Sequence, residues 1–245
     1  MPLNFPDYVP LSFVDTVGLA IGVIVILVLL YEFVRWRGVL SPIGKGFKLG
    51  AGKWATIFVG TIAKDVVYQQ ISPKCPDRKW VSHSLIFWGF ILLMLSTATN
   101  WLTNPTGGPL PLTNPVRVLG NLGGVMLLVG LLAALYRIGA NSDKREITFG
   151  PDYLLIALLL IAGVTGFLTE FVSEWNATEW AYGVYVLHLL GSAALLLLAP
   201  FTKFIHAFGR SVIRLSERYL EALSQAALVR PAELATMPLL VEEGS

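Results

Sequence analysis

Cysteine, charge and histidine are all scarce in this chain of 245 residues, and each scarcity excludes something. Cys75 is the single cysteine, so neither an internal disulfide nor a cysteine-ligated iron–sulfur cluster can form within the chain. Charged residues make up 14% of the sequence, against about 25% in soluble domains. Period-two alternation of apolar and polar residues is absent, which argues against a β-barrel. No repeat or low-complexity tract breaks the chain into modules. There is no Ser/His/Asp set, cysteine pair, phosphate loop or carboxylate cluster, so the chain is not expected to be catalytic alone. The first apolar run has Asp7 before it, Asp15 close to its start, and Arg35 and Arg37 after it. A cleaved leader has the opposite charge order, and the run is expected to be retained.

What is present is apolar: 55% of residues are hydrophobic. Continuous apolar runs cover about 12–34, 81–102, 118–136, 153–173 and 181–202. About 20 such residues in a helix cross a hydrocarbon core. The expected fold is therefore an all-α membrane protein with a bundle of five transmembrane helices, in the cell membrane. Of the 18 Lys and Arg residues, nine lie in 35–79, three in 137–151 and five in 203–245, leaving Arg117 alone. Those three tracts are alternate loops on one side. By the positive-inside rule the N-terminus is outside and the C-terminus cytoplasmic. The basic tracts are then a topology signal, and no nucleic-acid partner is expected.

Residues 1–209 read as one membrane domain and 210–245 as a cytoplasmic amphipathic helix and tail. KWATIFVGTIAKDVVYQQ mixes apolar and basic positions at helical spacing and is expected to lie on the inner membrane surface. SVIRLSERYLEALSQAAL reads as a second inner-surface helix. The segment 103–116, TNPTGGPLPLTNPV, is rich in Pro and Gly and reads as turns. Trp80, Trp88, Trp101, Trp175 and Trp180 fall near the expected interfaces, as an aromatic belt does.

The three histidines are His83, His188 and His206. Ionisable groups in a span are costly and mark candidate sites. In one unbroken helix, the 18 residues from His188 to His206 make five turns, so both rings face one way about 27 Å apart. Pro200 should kink that helix. His83, at the start of the second span, matches His206 in depth. Two histidines on facing helices can hold a haem iron axially, whereas tetrahedral zinc wants four clustered ligands. The plainer alternative is that each histidine merely meets water at an interface.

The run HLLGSAALLLLAPFTKFIH looks like the last span of the gamma subunit of respiratory nitrate reductase, and GPDYLLIALLLIAGVTGFLTEFV is similar to its fourth. RKWVSHSLIFWGF more closely resembles the cytochrome b subunits of membrane heterodisulfide reductase, of sulfite-reductase-linked membrane complexes and of certain membrane hydrogenases. The resemblance implies one or two haem b groups. His83 and His206 would ligate the inner one and His188 the outer. Where the nitrate reductase pattern has another histidine, this chain has Leu93. Met94 is a geometric substitute, facing within roughly 20° of His83; it is otherwise an apolar filler. A third arrangement has one haem, with His188 bonded to a quinone.

The resemblance also places Arg117 and Asn121 near a quinone head group; an Arg that snorkels to the interface is the alternative. Gly123 and Gly124 would admit a ring or another helix closely, and Ser82, Ser84 and Gly191 could line a porphyrin. The implied function is a haem b subunit of a respiratory oxidoreductase complex, exchanging electrons between the quinone pool and an Fe–S partner subunit beside a catalytic subunit. A haem-free membrane anchor for a peripheral enzyme is the alternative.

Overall fold

A computed structural model describes residues 4–35, 50–67, 79–140, 150–175, 178–202, 209 and 211–225. The described residues are helical, with turns between, and contain no strand. The helices are α1 (Leu11–Arg35), α2 (Ala51–Thr61), α3 (Lys79–Thr103), α4 (Pro115–Gly139), α5 (Gly150–Glu174) and α6 (Thr178–Leu198). A seventh, α7, covers 211–225. Five of them, α1 and α3 to α6, are long and apolar enough to cross a membrane. They coincide with the five apolar runs. The chain is a multi-pass membrane protein.

The chain forms two compact units, Met1–Tyr31 with Ile71–His206, and Glu32–Gln70 with Ala207–Ser245. The sequence boundary at 209/210 falls near the point where the second unit resumes. That unit also takes in 32–70.

In the first unit α3 packs along α4, α4 on α5 and α5 on α6. Apolar side chains gain little by leaving lipid for another helix, so close backbone approach and dispersion must hold spans together. Glycine supplies that approach here. A Cβ on Gly89 of α3 would stand 2.6 Å from the backbone N of Leu127 and 2.7 Å from the Gly123 carbonyl on α4. A Cβ on Gly130 would stand 2.8 Å from the backbone N of Ile86 and 2.9 Å from the Ser82 carbonyl. Of the two roles open to Gly123, the structure takes the helix contact. Leu127, Leu131, Leu158, Leu159 and Leu195 form the buried cluster that joins α4, α5 and α6. By contrast, only 6% of the α1 window is buried, against 33% for α4.

Local signals set the boundaries. Asn114 caps α4, its side chain accepting from Val116 N at 2.9 Å, and Pro115 opens the helix where no N–H partner is needed. The preceding turn needs Gly107, at φ 64°, a conformation that L side chains rarely adopt. Its site is also tight, since a Cβ would meet Pro6 and Leu11. The N-terminal segment packs against α6, with Phe5 stacked on Tyr185 and Tyr8 on Tyr182, centroids 4.4 and 4.2 Å apart.

One expectation needs correction. Pro200 does not kink a helix that continues to His206. The α-helix ends at Leu198, Ala199–Phe201 form a 3-10 turn, and Thr202 is extended at φ −107°, ψ −176°. Proline lacks the N–H that a further α-turn requires and biases the residue before it away from α geometry. The unbroken helix assumed for the five-turn register between His188 and His206 is thus interrupted at 199–202.

In the second unit, α2 passes into a π-helical turn at Ile62–Val67. From α7, Arg218 donates to Thr61 Oγ1 at 3.1 Å and pairs with Asp65 at 3.0 Å. Thr61, Ser216 and Tyr219 are buried. The two segments read from the sequence as inner-surface helices belong to this one unit.

Candidate functional site

His188 lies on α6, half-buried, with its ring against α5. Its Nδ1 is 3.1 Å from the Ala162 carbonyl and 3.2 Å from Thr165 Oγ1. A carbonyl only accepts, so Nδ1 carries the proton and donates. Thr165 Oγ1 already donates to the Ile161 carbonyl, which leaves its lone pairs for the same N–H. Nε2 is then the unprotonated nitrogen, and among the described residues it has no hydrogen-bond partner. A histidine oriented through one nitrogen keeps the other as a ligand. The ring has room because residue 166 is glycine: a Cβ there would stand 3.2 Å from His188 Cε1.

The remaining expected site residues are not gathered around His188. His83 is exposed on the first turns of α3. His206 lies outside the described residues. Met94, on α3, is 49% exposed, while every described hydrogen-bond partner of His188 is on α5. Helices α3 and α6 are not in extensive contact. Gly191 rests against Ile161, Ser82 is buried with its carbonyl beside Gly130, and Gly124 abuts the Phe167 ring. Among the described residues no three His, Cys, Asp or Glu side chains group closely enough to hold a metal ion by themselves. An axially ligated haem asks less, one such nitrogen per face, and His188 Nε2 fits that need.

Arg117 and Asn121 occupy a network of their own at the end of the bundle where α4 starts and α5 finishes. Arg117 Nε is 2.7 Å from Glu170 Oε1, and NH2 is 2.7 Å from Glu174 Oε1. NH1 donates to the Leu110 carbonyl at 2.6 Å. The Asn121 amide donates to Glu170 Oε1 at 3.0 Å. One guanidinium thus ties α4, α5 and the 104–114 turn together. Its side chain is 13% exposed, against 24% for Glu170 and 38% for Glu174. Every nitrogen of the guanidinium has an acceptor within the chain, which removes any need to snorkel outward. Glu174, Gly166 and Ala162 were not singled out from the sequence. Glu174 had a signal: it and Glu170 are four apart, near the one basic residue on that side.

Residues 7–228 match the family of Citrate utilization protein B. The chain belongs to that family. It is also 26% identical over 162 residues to a protein of Methanosarcina thermophila, covering 58% of this chain and 60% of that one. That relative is the E component of the dihydromethanophenazine:CoB–CoM heterodisulfide reductase. Its counterpart in Methanosarcina barkeri is 26% identical over 128 residues, 49% and 48% of the two chains. Citrate utilization protein B of Escherichia coli is 30% identical over 135 residues, 52% of this chain and 34% of that one. The chain spans about half to three fifths of the length of the heterodisulfide reductase subunits it matches. No solved structure matches it. These relatives agree with the heterodisulfide reductase side of the resemblance; the nitrate reductase side rests on sequence pattern alone.

Proposed function

We propose that this protein is the membrane subunit of a redox complex in the cell membrane and carries electrons between a lipid-soluble quinone-type carrier and an Fe–S partner subunit. The N-terminus is outside and the C-terminus cytoplasmic, so the Arg117 end of the bundle faces outward. The observation that carries the reading is the state of His188. Its Nδ1 is fixed on the Ala162 carbonyl and its Nε2 is left as a ligand, within a span and beside a glycine. Relatives named as subunits of a dihydromethanophenazine-dependent reductase support the redox class.

In this reading haem b is the electron carrier, and it supplies one-electron chemistry that no side chain here offers. His188 would hold one haem, with Met94 as its second ligand or with none from this chain. His83 and His206 would hold the other. Residues 35–79, 137–151 and the C-terminal tail supply the cytoplasmic surface on which the Fe–S subunit docks, beside the catalytic subunit. The carrier head group approaches the outward end near Arg117 and Asn121. A pyridine haemochrome assay on the purified protein tests the reading. Haem b in a ratio of one or two per chain is expected; its absence leaves a haem-free anchor.

A further inference from the structure

The network around Arg117 points to a specific partner for the carrier head group. Resting on the reading above, we infer that Glu170, rather than Arg117 or Asn121, contacts the carrier, as an anionic acceptor for the hydroxyl of a hydroquinone. Arg117 and Asn121 are its positioning residues. Three observations lead there. First, each nitrogen of Arg117 and the amide of Asn121 already has an acceptor within the chain. Both side chains are thereby fixed in place on the carboxylates and the turn, as positioning residues are. Second, both donors to Glu170 fall on Oε1. Among the described residues no hydrogen bond falls on Oε2, and the side chain keeps 24% of its surface exposed. Third, Glu170 sits four residues beyond Gly166 on one face of α5, one turn or about 6 Å along the helix. Gly166 is where the His188 ring rests.

The chemistry of Oε2 then selects the redox state. A carboxylate oxygen accepts and does not donate. A hydroquinone offers O–H groups; the oxidised quinone offers only carbonyl oxygens, which a carboxylate repels. The site as built favours the reduced carrier. Two donors converge on Glu170 Oε1, and Glu174 shares the same guanidinium.

The test is anaerobic calorimetric titration of the purified full-length protein with menadiol, with menadione and with the dimethyl ether of menadiol. Wild type should bind menadiol about tenfold or more tightly than either of the others, as a charge-assisted hydrogen bond provides. Because the ether keeps the ring and oxygens and lacks only the donors, this arm needs no variant. In Glu170→Gln the side-chain oxygen should stay with Arg117 and Asn121, turning an NH2 donor outward; the preference should vanish or reverse toward menadione. Glu174→Gln should keep the preference, since the Glu170 bonds persist. Equal binding of the three probes to wild type, no binding of any, retention of the preference in Glu170→Gln, or its equal loss in Glu174→Gln would each overturn the inference. Haem content is read separately on the same samples. Haem without the preference defeats this inference alone, whereas absence of haem defeats the electron-carrier reading.

Discussion

Gly89 and Gly123 meet backbone to backbone: a Cβ on Gly123 would lie 2.9 Å from the Gly89 carbonyl oxygen. The nearest atoms facing each glycine are backbone atoms and, at Gly123, the Leu92 Cβ, which no rotamer moves, so no side-chain rotation can make room. Gly89→Ala or Gly123→Ala should therefore push α3 and α4 apart and destabilise the bundle by roughly 1–3 kcal/mol, the range for overpacked sites. Gly18→Ala, where nothing lies within 4 Å, should be neutral. Unfolding in mixed detergent micelles measures both.

Removing Arg117 leaves Glu170, Glu174 and the Leu110 carbonyl short of a donor together. Arg117→Ala should cost about 1–3 kcal/mol, below the range for fully buried pairs because both carboxylates keep some solvent. Arg117→Lys should recover only part of this, since an ammonium cannot reproduce three diverging N–H directions. A double-mutant cycle with Glu170→Gln gives the coupling. A coupling near zero would show that the pair is not joined as described.

On the haem reading proposed above, His188→Ala should lower haem per chain in the pyridine haemochrome assay without unfolding the helices. Gly166→Val makes the same claim indirectly. Its side chain would crowd the imidazole, so haem should fall although every histidine is intact. Normal haem content and spectrum in Gly166→Val would argue that the ring's seat on α5 is irrelevant to ligation.

Arg218→Ala should loosen α7 from α2 by about 1 kcal/mol, as expected for a partly exposed ion pair with one added hydrogen bond. Faster amide exchange confined to 211–225 and 51–67 would be the sign. Exchange that rises equally in α4 would mean the effect is not local.

Hydropathy alone made the five spans legible, because lipid imposes a length and an apolar surface that few other folds share. The Arg117 pairing was also within reach, since a lone basic residue near Glu170 and Glu174 has few other partners. The seat of His188 was not: its partner is a backbone carbonyl, and every residue has one. Nor did sequence decide whether Gly123 faced a ring or a helix, because that depends on Gly89, 34 positions away. Pro200 announced a disturbance, but whether a proline bends a helix or ends it depends on how the surrounding chain satisfies the freed carbonyls.

The end of α6 at Leu198 bears on how the two ends of the chain's last span can evolve. In an unbroken helix, each inserted residue turns everything beyond it by about 100° and advances it about 1.5 Å, so spacing and facing change together. Here the 3-10 turn Ala199–Phe201 and the extended Thr202 interrupt the helical repeat after Leu198. Residues 199–202 bear no charge and no ligand-forming side chain. A change of length there would alter the number of residues between His188 and His206 while leaving both partners of the His188 ring, Ala162 and Thr165, in place on α5.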